Sequence, residues 1–261
     1  MLTMPYLRDR AFVLRAEPFR EQDNWLTCYG RALGKFTAVA RGSRKLDAKH
    51  LGHLEPLSEV EIMLAKGVAF DKVAVVHLVT SRPHLRGSLS AAVLAGAAAD
   101  FIDRLTYPGA PDGCIYELLQ EVLDVFLDTT HEVTPIRGQF LFAAFTLKIL
   151  RMLGHVPDLE HCGHCRTSLK DDNYLMPKLG IIVCAACREV LRHEIGTPLP
   201  SRAVTLLTFV STQPLPECLK LTASEDLLAV VQSMAVVSLE HTAVRALPHG
   251  FESVRQMLMS G

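Results

Sequence analysis

The stretch AFVLRAEPFREQDNWLTCYGRALGKFTAVARGSRK, residues 11–45, decides the fold of the first part of the chain. Runs rich in β-branched and aromatic residues alternate in it with turn-forming residues, and Gly34 falls in the break between two runs. Runs bounded by glycine, proline, asparagine or aspartate are typical of antiparallel strands joined by tight turns. We therefore predict three consecutive strands in this stretch.

Two further strand-like runs follow before residue 80, LSEVEIMLAKG at 57–67 and AFDKVAVVHLV at 69–79. Five short strands in so few residues favour a small antiparallel barrel or sandwich. The prediction is a five-stranded OB-fold barrel over residues 1–80.

The pattern of apolar residues changes after Pro83 and Gly87, where the spacing becomes helical. Asp112, Thr134, Pro135 and Ser224 are suited to begin helices. The predicted helices are 89–105, 114–128, 136–153, 201–212, 224–247 and 250–259. The predicted fold class is therefore α+β, with the barrel followed by an all-helical domain over 81–261.

Four of the seven cysteines form two C-x-x-C pairs, Cys162 with Cys165 and Cys184 with Cys187, separated by 18 residues. This spacing is typical of a four-cysteine zinc site. We predict a structural Zn²⁺ module at about 158–192, inserted in the helical domain. Four unligated thiols or a redox pair are the alternatives, and His161 or His164 could replace one cysteine ligand.

A site with four thiolates has no open position for an activated water, so the predicted metal is not catalytic. The sequence also lacks a P-loop, G-x-G-x-x-G, G-x-S-x-G or H-E-x-x-H motif. We therefore predict that the protein is not an enzyme. An enzyme with an unrecognised metal centre is the rival hypothesis.

Length and composition indicate a globular chain: it has 261 residues, of which 49% are hydrophobic and 21% are charged. Arg8, Asp9 and Arg10 precede any long apolar run, so we predict no secretory signal. The apolar run from Leu141 contains Lys148 and Arg151 and is too short to span a membrane. The expected location is the cytoplasm, without a membrane partner.

Positive charge is concentrated in residues 1–50, which hold ten Lys or Arg against five acidic residues, although the whole chain has a net charge of −1. Such a region suggests a local anion-binding surface, here for the phosphate backbone of a nucleic acid. A solvated face without a ligand is the alternative. The candidate DNA-binding residues are Arg15, Arg31, Lys35, Arg41, Arg44, Lys45 and Lys49.

The sequence resembles the RecO family of bacterial DNA repair proteins. The resemblance lies in three stretches: residues 11–45, LGHLEPLSEVEIML at 51–64, and LFAAFTLKILRMLGHVPDLEHCGHC at 141–165. The family pattern G-K … A-R-G-x-R falls on Gly34, Lys35, Ala40, Arg41, Gly42 and Arg44. The chain departs from the family at Phe19, Arg20 and Glu21, where a Tyr-Gly-Glu-like sequence is expected.

The resemblance implies an OB-fold, a helical domain and an inserted zinc module. It also implies binding of single- and double-stranded DNA and annealing of complementary strands. A further implied role is loading of the RecA recombinase onto DNA coated with single-strand-binding protein (SSB), together with RecR. The acidic C-terminal tail of SSB would dock on the helical domain, with Arg137, Lys148 and Arg151 as its basic rim. Some members lack the cysteines, which implies a structural role for the metal.

A protein that binds RNA or takes part in transcription through its zinc module is the other functional hypothesis. Its module would contact nucleic acid directly and should then be basic. Residues 158–192 hold about as many acidic as basic residues, which disfavours it.

Overall fold

The computed structural model describes residues 6–44, 54–83, 85, 89–125, 135–222 and 224–246, with only the backbone described for 89, 90, 135 and 243–246. The chain forms two compact units, residues 1–130 and 131–261. The candidate residues Lys45 and Lys49 and the predicted helix at 250–259 lie outside the described residues.

The first unit contains a closed five-stranded barrel, as the sequence predicted. Its strands are β1 (Tyr6–Phe19), β2 (Asp23–Gly30), β3 (Gly34–Ala40), β4 (Glu59–Ala65) and β5 (Lys72–Thr80). The strand order is β1-β2-β3-β5-β4, and β1 also pairs with β4 to close the barrel. A register shift between Val13 and Arg15 bends the long β1, so that it can pair on both sides. This is the OB-fold arrangement.

Alternate side chains of each strand fill the barrel interior, because successive residues of a strand face opposite sides of a sheet. The barrel core contains residues of all five strands and of the segment before β4: Ala11, Val13, Leu26, Cys28, Ala38, Ala40, Leu54, Val60, Ile62, Leu64 and Val76. The outward-facing side chains of β1, β2 and β3 are therefore those available to pack on other elements or to bind a ligand.

Two helices, α1 (Leu89–Leu105) and α2 (Gly113–Val125), complete the first unit. The buried Glu59 carboxylate of β4 accepts hydrogen bonds from Arg10 Nε and from the Tyr116 hydroxyl of α2, both at 2.6 Å. Phe12 packs on Tyr116 with the ring centroids 4.9 Å apart. These contacts join α2 to the barrel, and both helices belong to the first compact unit. The domain boundary near residue 80 remains a prediction from the sequence.

The second unit is built around α3 (Pro135–Met152), whose residues 140–150 are all buried. The helices α5 (Ser201–Thr212), α6 (Leu215–Cys218) and α7 (Glu225–Ala246) surround it. Ser224 begins α7 as predicted: its hydroxyl accepts the Leu227 N–H at 3.3 Å. No helix among the described residues has the length and apolar character needed to cross a membrane.

A small sheet lies between α3 and α5 in the chain, made of β6 (Asn173–Met176), β7 (Ile181–Cys184) and β8 (Thr197–Leu199), with α4 (Ala185–Val190) after β7. β6 is the central strand and pairs antiparallel with both neighbours. The module therefore continues to Leu199, beyond the predicted end at about 192. The predicted insertion in a helical domain is confirmed, and the insertion consists mainly of these three strands.

The β6–β7 hairpin is attached to α7 at Gly180, which has a left-handed backbone with φ of +65°. A Cβ at this position would lie 2.7 Å from the His241 ring. The His241 ring nitrogen Nε2 lies 2.7 Å from the Pro177 carbonyl oxygen. Glycine at 180 thus permits both the turn and the close approach of the hairpin to α7.

Candidate metal site and nucleic-acid interface

The Sγ atoms of the four predicted ligands, Cys162, Cys165, Cys184 and Cys187, all lie within 4.8 Å of one another. A tetrahedral zinc ion with Zn–S bonds of about 2.3 Å holds its sulfurs about 3.8 Å apart. The Sγ atoms of Cys165 and Cys184 are 3.8 Å apart. The four thiols therefore form a group that could hold a metal ion, and their spacing fits zinc.

Two tight turns present these thiols to a common point. In the first, the Arg166 N–H donates to the Cys162 carbonyl at 2.9 Å, and Arg166 has a φ of +63°. In the second, β7 ends at Cys184 and α4 places Cys187 one turn later. The Gly163 N–H donates to the Ile182 carbonyl at 2.8 Å, which joins the two turns.

The surroundings of the thiols favour thiolate at some positions and thiol at others. The Thr167 hydroxyl and N–H lower the pKa of Cys165 to about 6. Burial raises the pKa of the Cys187 thiol, and the neighbouring thiols add to this effect. Because a metal ligates thiolates, binding would require Cys187 to lose its proton. His164 Nδ1 lies 3.4 Å from Cys187 Sγ, beside the four-cysteine group.

Two of the candidate DNA-binding residues, Arg15 and Lys35, pair with acidic residues of α1. Arg15 contacts the carboxylates of Asp100, at 3.2 Å, and of Asp103. The Lys35 ammonium lies 2.7 Å from the Asp103 carboxylate and donates to the main-chain carbonyls of Asp103 and Thr106. The Lys35 side chain is only 17% exposed. In this arrangement α1 occupies the part of the barrel face from which both side chains extend.

The glycine before Lys35 serves the same contact. Gly34 has a φ of +65°, and a Cβ on it would lie 2.7 Å from main-chain atoms of Ala110 and Pro111. The Gly109 N–H donates to the Lys35 carbonyl at 3.1 Å. The G-K half of the pattern G-K … A-R-G-x-R thus holds the α1–α2 connection against the barrel.

Replacing Lys35 with methionine is expected to destabilise the fold and to leave the salt dependence of DNA binding unchanged. The substitution removes hydrogen bonds between charged groups, which are worth on the order of 2 kcal/mol. Urea unfolding measures the first quantity, and single-strand binding at several salt concentrations measures the second. A salt slope reduced by about 0.7 at unchanged stability would instead show that Lys35 contacts a phosphate.

The other half of the pattern lies in the turn after β3 and is open to solvent. Gly42 has a φ of +64° and its N–H donates to the Asp23 carboxylate at 2.9 Å, which folds the turn against β2. Arg41 and Arg44 are exposed on this turn. The Arg44 N–H bonds to the Gln22 carbonyl at 3.0 Å, so the turn lies beside the β1–β2 connection. Arg31 is also exposed, and pairs with Glu117 at 3.3 Å.

An aromatic cluster of Phe19, Trp25 and Phe70 lies at the same end of the barrel. The three ring centroids are 5.5 to 5.9 Å apart. The exposed guanidinium of Arg20 lies over the rings of Phe19 and Phe70. Sequence reasoning did not single out Phe70, because only the β4–β5 connection brings it beside Phe19 and Trp25, which lie 51 and 45 positions earlier in the chain. It also treated Arg20 only as a departure from the family pattern.

The candidate rim residues of the helical domain have different surroundings. Lys148 is 4% exposed and donates to the Gln213 carbonyl at the end of α5. Arg151 is exposed and its Nη1 donates to the Ser211 hydroxyl at 3.0 Å. Arg137 is half-buried near the start of α3. Lys148 therefore stabilises the packing of α3 on α5, and a basic rim on this helix would consist of Arg137 and Arg151.

Comparison with known proteins agrees with this architecture. The family model described as "Recombination protein O N terminal" matches residues 4–82, and "Recombination protein O C terminal" matches 86–239. The two matches together include the barrel, the metal site and most of the helices.

Several curated relatives carry the name DNA repair protein RecO. The protein from Pelotomaculum thermopropionicum is 33% identical over 177 residues, which are 68% of this chain and 66% of that protein. The Cutibacterium acnes protein is 32% identical over 76% of this chain and 78% of its own length. A Dehalococcoides mccartyi protein is 26% identical over 88% of both.

Proposed function

This chain belongs to the RecO family of DNA repair and recombination proteins, and from that premise we propose that it is a recombination mediator that binds single- and double-stranded DNA and anneals complementary strands. In this proposal it also helps to load the RecA recombinase on SSB-coated DNA, in concert with RecR. Chromosomal DNA as substrate implies action in the cytoplasm, at the nucleoid. Family membership favours this role over the RNA-binding or transcription-associated alternative.

The observation that carries the proposal is the group of exposed arginines at one end of the barrel. Arg20 lies in the β1–β2 connection, and Arg41 and Arg44 lie in the turn after β3. The hydrogen bond from the Arg44 N–H to the Gln22 carbonyl keeps the two segments together. OB-folds bind oligonucleotides with the face of their second and third strands and with adjoining connections, including the β1–β2 loop. The position of the arginines beside these elements supports the proposal.

Annealing by this surface would need only screening and local concentration. Guanidinium groups neutralise phosphates and release counterions, which lowers the repulsion between two strands. The free energy of annealing then comes from base pairing in the DNA itself. This mechanism involves no covalent chemistry, in line with a mediator that is not an enzyme.

We assign the four-cysteine group to a structural Zn²⁺. Four thiolates would close the coordination sphere, and the metal would then tie the turn at Cys162 to the turn at Cys184. The proposed DNA surface lies on the barrel, so in this proposal the role of the metal is to support the fold of the second unit.

A further partner is the C-terminal tail of SSB, for which the second unit would provide the site. The proposed basic rim is Arg137 and Arg151, because Lys148 is already bound to the Gln213 carbonyl inside the unit. An acidic peptide with an apolar end requires both a basic rim and an apolar groove.

Binding of labelled single- and double-stranded oligonucleotides at several salt concentrations tests the proposed function. We expect both to bind, with affinity that falls steeply as salt rises, because each phosphate contact adds about 0.7 to the single-strand slope. Absence of binding even at low salt would overturn the proposal.

A further inference from the structure

The aromatic cluster of Phe19, Trp25 and Phe70 is separate from the hydrophobic core of the barrel. None of the three is among the described residues that form or line that core. Each is partly exposed, and the rings meet at interplanar angles of 60° to 81°. Part of each ring is therefore accessible at the surface, where another planar group could pack on it.

Arg20 is held over this cluster at a cost in backbone energy. Its φ of +58° lies in the left-handed region, which glycine adopts readily and other residues rarely do. Its guanidinium carbon lies 5.1 Å from the Phe19 centroid and 5.8 Å from that of Phe70. The guanidinium is planar and cationic, so it can stack on a base as well as pair with a phosphate. A strained residue with such a side chain points to a binding role.

The cluster also lies between the two connections that OB-folds use for nucleic acids, those of β1–β2 and of β4–β5. Phe19 and Trp25 flank the first connection, and Phe70 lies in the second. The Val39 N–H donates to the Asp71 carbonyl at 2.9 Å, which holds the second connection against β3. The exposed Arg41 and Arg44 follow directly on β3. A ligand bound here would contact the aromatic cluster and the nearby arginine side chains.

We propose that the aromatic cluster and Arg20 form a stacking site for an unpaired base of single-stranded DNA, an inference that rests on the proposed DNA-binding function. The base stacks on an exposed ring face, and the Arg20 guanidinium either covers it or moves to the adjoining phosphate. Bases in a duplex are already stacked on their neighbours, so the site distinguishes single strands from duplexes. It thereby deepens the proposed function by naming how the barrel prefers unpaired DNA.

Trp25 is the only tryptophan of the chain, so its fluorescence reports on this site alone. The full-length protein is titrated with an oligothymidylate and with an abasic oligonucleotide of the same length, while anisotropy follows binding separately. We expect the oligothymidylate to quench Trp25 and the abasic strand to bind without quenching. Arg20→Lys and Phe70→Leu should each weaken oligothymidylate binding about fivefold or more, since stacking on aromatic rings contributes this much per base.

Two control variants separate this effect from general losses. Arg8→Lys changes an exposed arginine elsewhere on β1, and Phe36→Leu changes an aromatic side chain packed on the barrel core. Neither should alter Trp25 quenching. If the oligothymidylate binds but leaves Trp25 unchanged, or if all four variants bind it like the wild type, the stacking site is disproved while DNA binding stands. If no oligonucleotide binds, the proposed function itself fails.

Discussion

Replacing Cys187 with serine is expected to abolish stoichiometric zinc binding and to unfold the segment from about 158 to 199. The apolar core of this module is small, and two of its four buried members, Cys162 and Cys187, are metal ligands. A core of this size cannot offset the entropy of ordering the segment, so the metal must supply the difference. Structural zinc sites contribute about 10–16 kcal/mol of apparent binding free energy near neutral pH.

Metal analysis and limited proteolysis measure the two parts of this result. Cys114→Ser is the matched control, because Cys114 is exposed on α2 and lies far along the chain from the four-cysteine group. Single-strand binding by Cys187→Ser should persist, since the proposed DNA surface lies on the barrel. Full zinc content and unchanged protease resistance in Cys187→Ser would contradict the assignment of the metal site.

The double variant Arg41→Ala, Arg44→Ala is expected to lower the salt slope of single-strand binding by about 1.4, that is, by about 0.7 for each lost phosphate contact. If both contacts are purely electrostatic, the affinity at 0.1 M salt should fall about 25-fold. Both side chains are exposed on the turn after β3, so the fold should be unaffected. Anisotropy titrations at several salt concentrations give slope and affinity together.

The control for this result is Arg192→Ala with Arg202→Ala. It removes the same number of positive charges from exposed positions in the second unit. A general effect of net charge would weaken binding equally in both double variants. An unchanged slope in Arg41→Ala, Arg44→Ala would show that the turn after β3 does not contact phosphate.

The regular elements were predictable because their signals are local. Strand-length runs between turn residues gave the five strands, and α1 was predicted over the same residues, 89–105, that the structure assigns to it. The C-x-x-C pairs likewise indicated a metal site, because tight turns bring each pair together. β8 was not predicted: it is three residues long and is stabilised by pairing with β6, which lies more than 20 residues earlier.

The surroundings of charged side chains could not be predicted from local sequence signals. Lys35 and Arg41 look alike in the sequence, yet Lys35 pairs with Asp103 of α1 while Arg41 is exposed. The difference depends on how α1 packs against the barrel, which involves contacts between residues about 70 positions apart. For the same reason the position of Lys148 inside the second unit was not foreseen.

The surroundings of the aromatic side chains could not be predicted from the sequence either. The sequence revealed that Phe19 and Trp25 lie among basic residues, but could not separate stacking from core packing. Phe12 and Tyr29, which also lie near basic residues in the sequence, are fully buried. Only the fold distinguishes the two pairs, because it places α2 over Phe12 and leaves Trp25 at the edge of the barrel.

Annealing of complementary labelled oligonucleotides, bare and SSB-coated, at two salt concentrations is the most direct test of the central claim. The account predicts that the wild-type protein accelerates annealing of both forms, that high salt suppresses the effect, and that Arg41→Ala with Arg44→Ala loses most of it. Failure of the wild-type protein to accelerate annealing under any of these conditions would contradict the claim that this chain is a strand-annealing mediator.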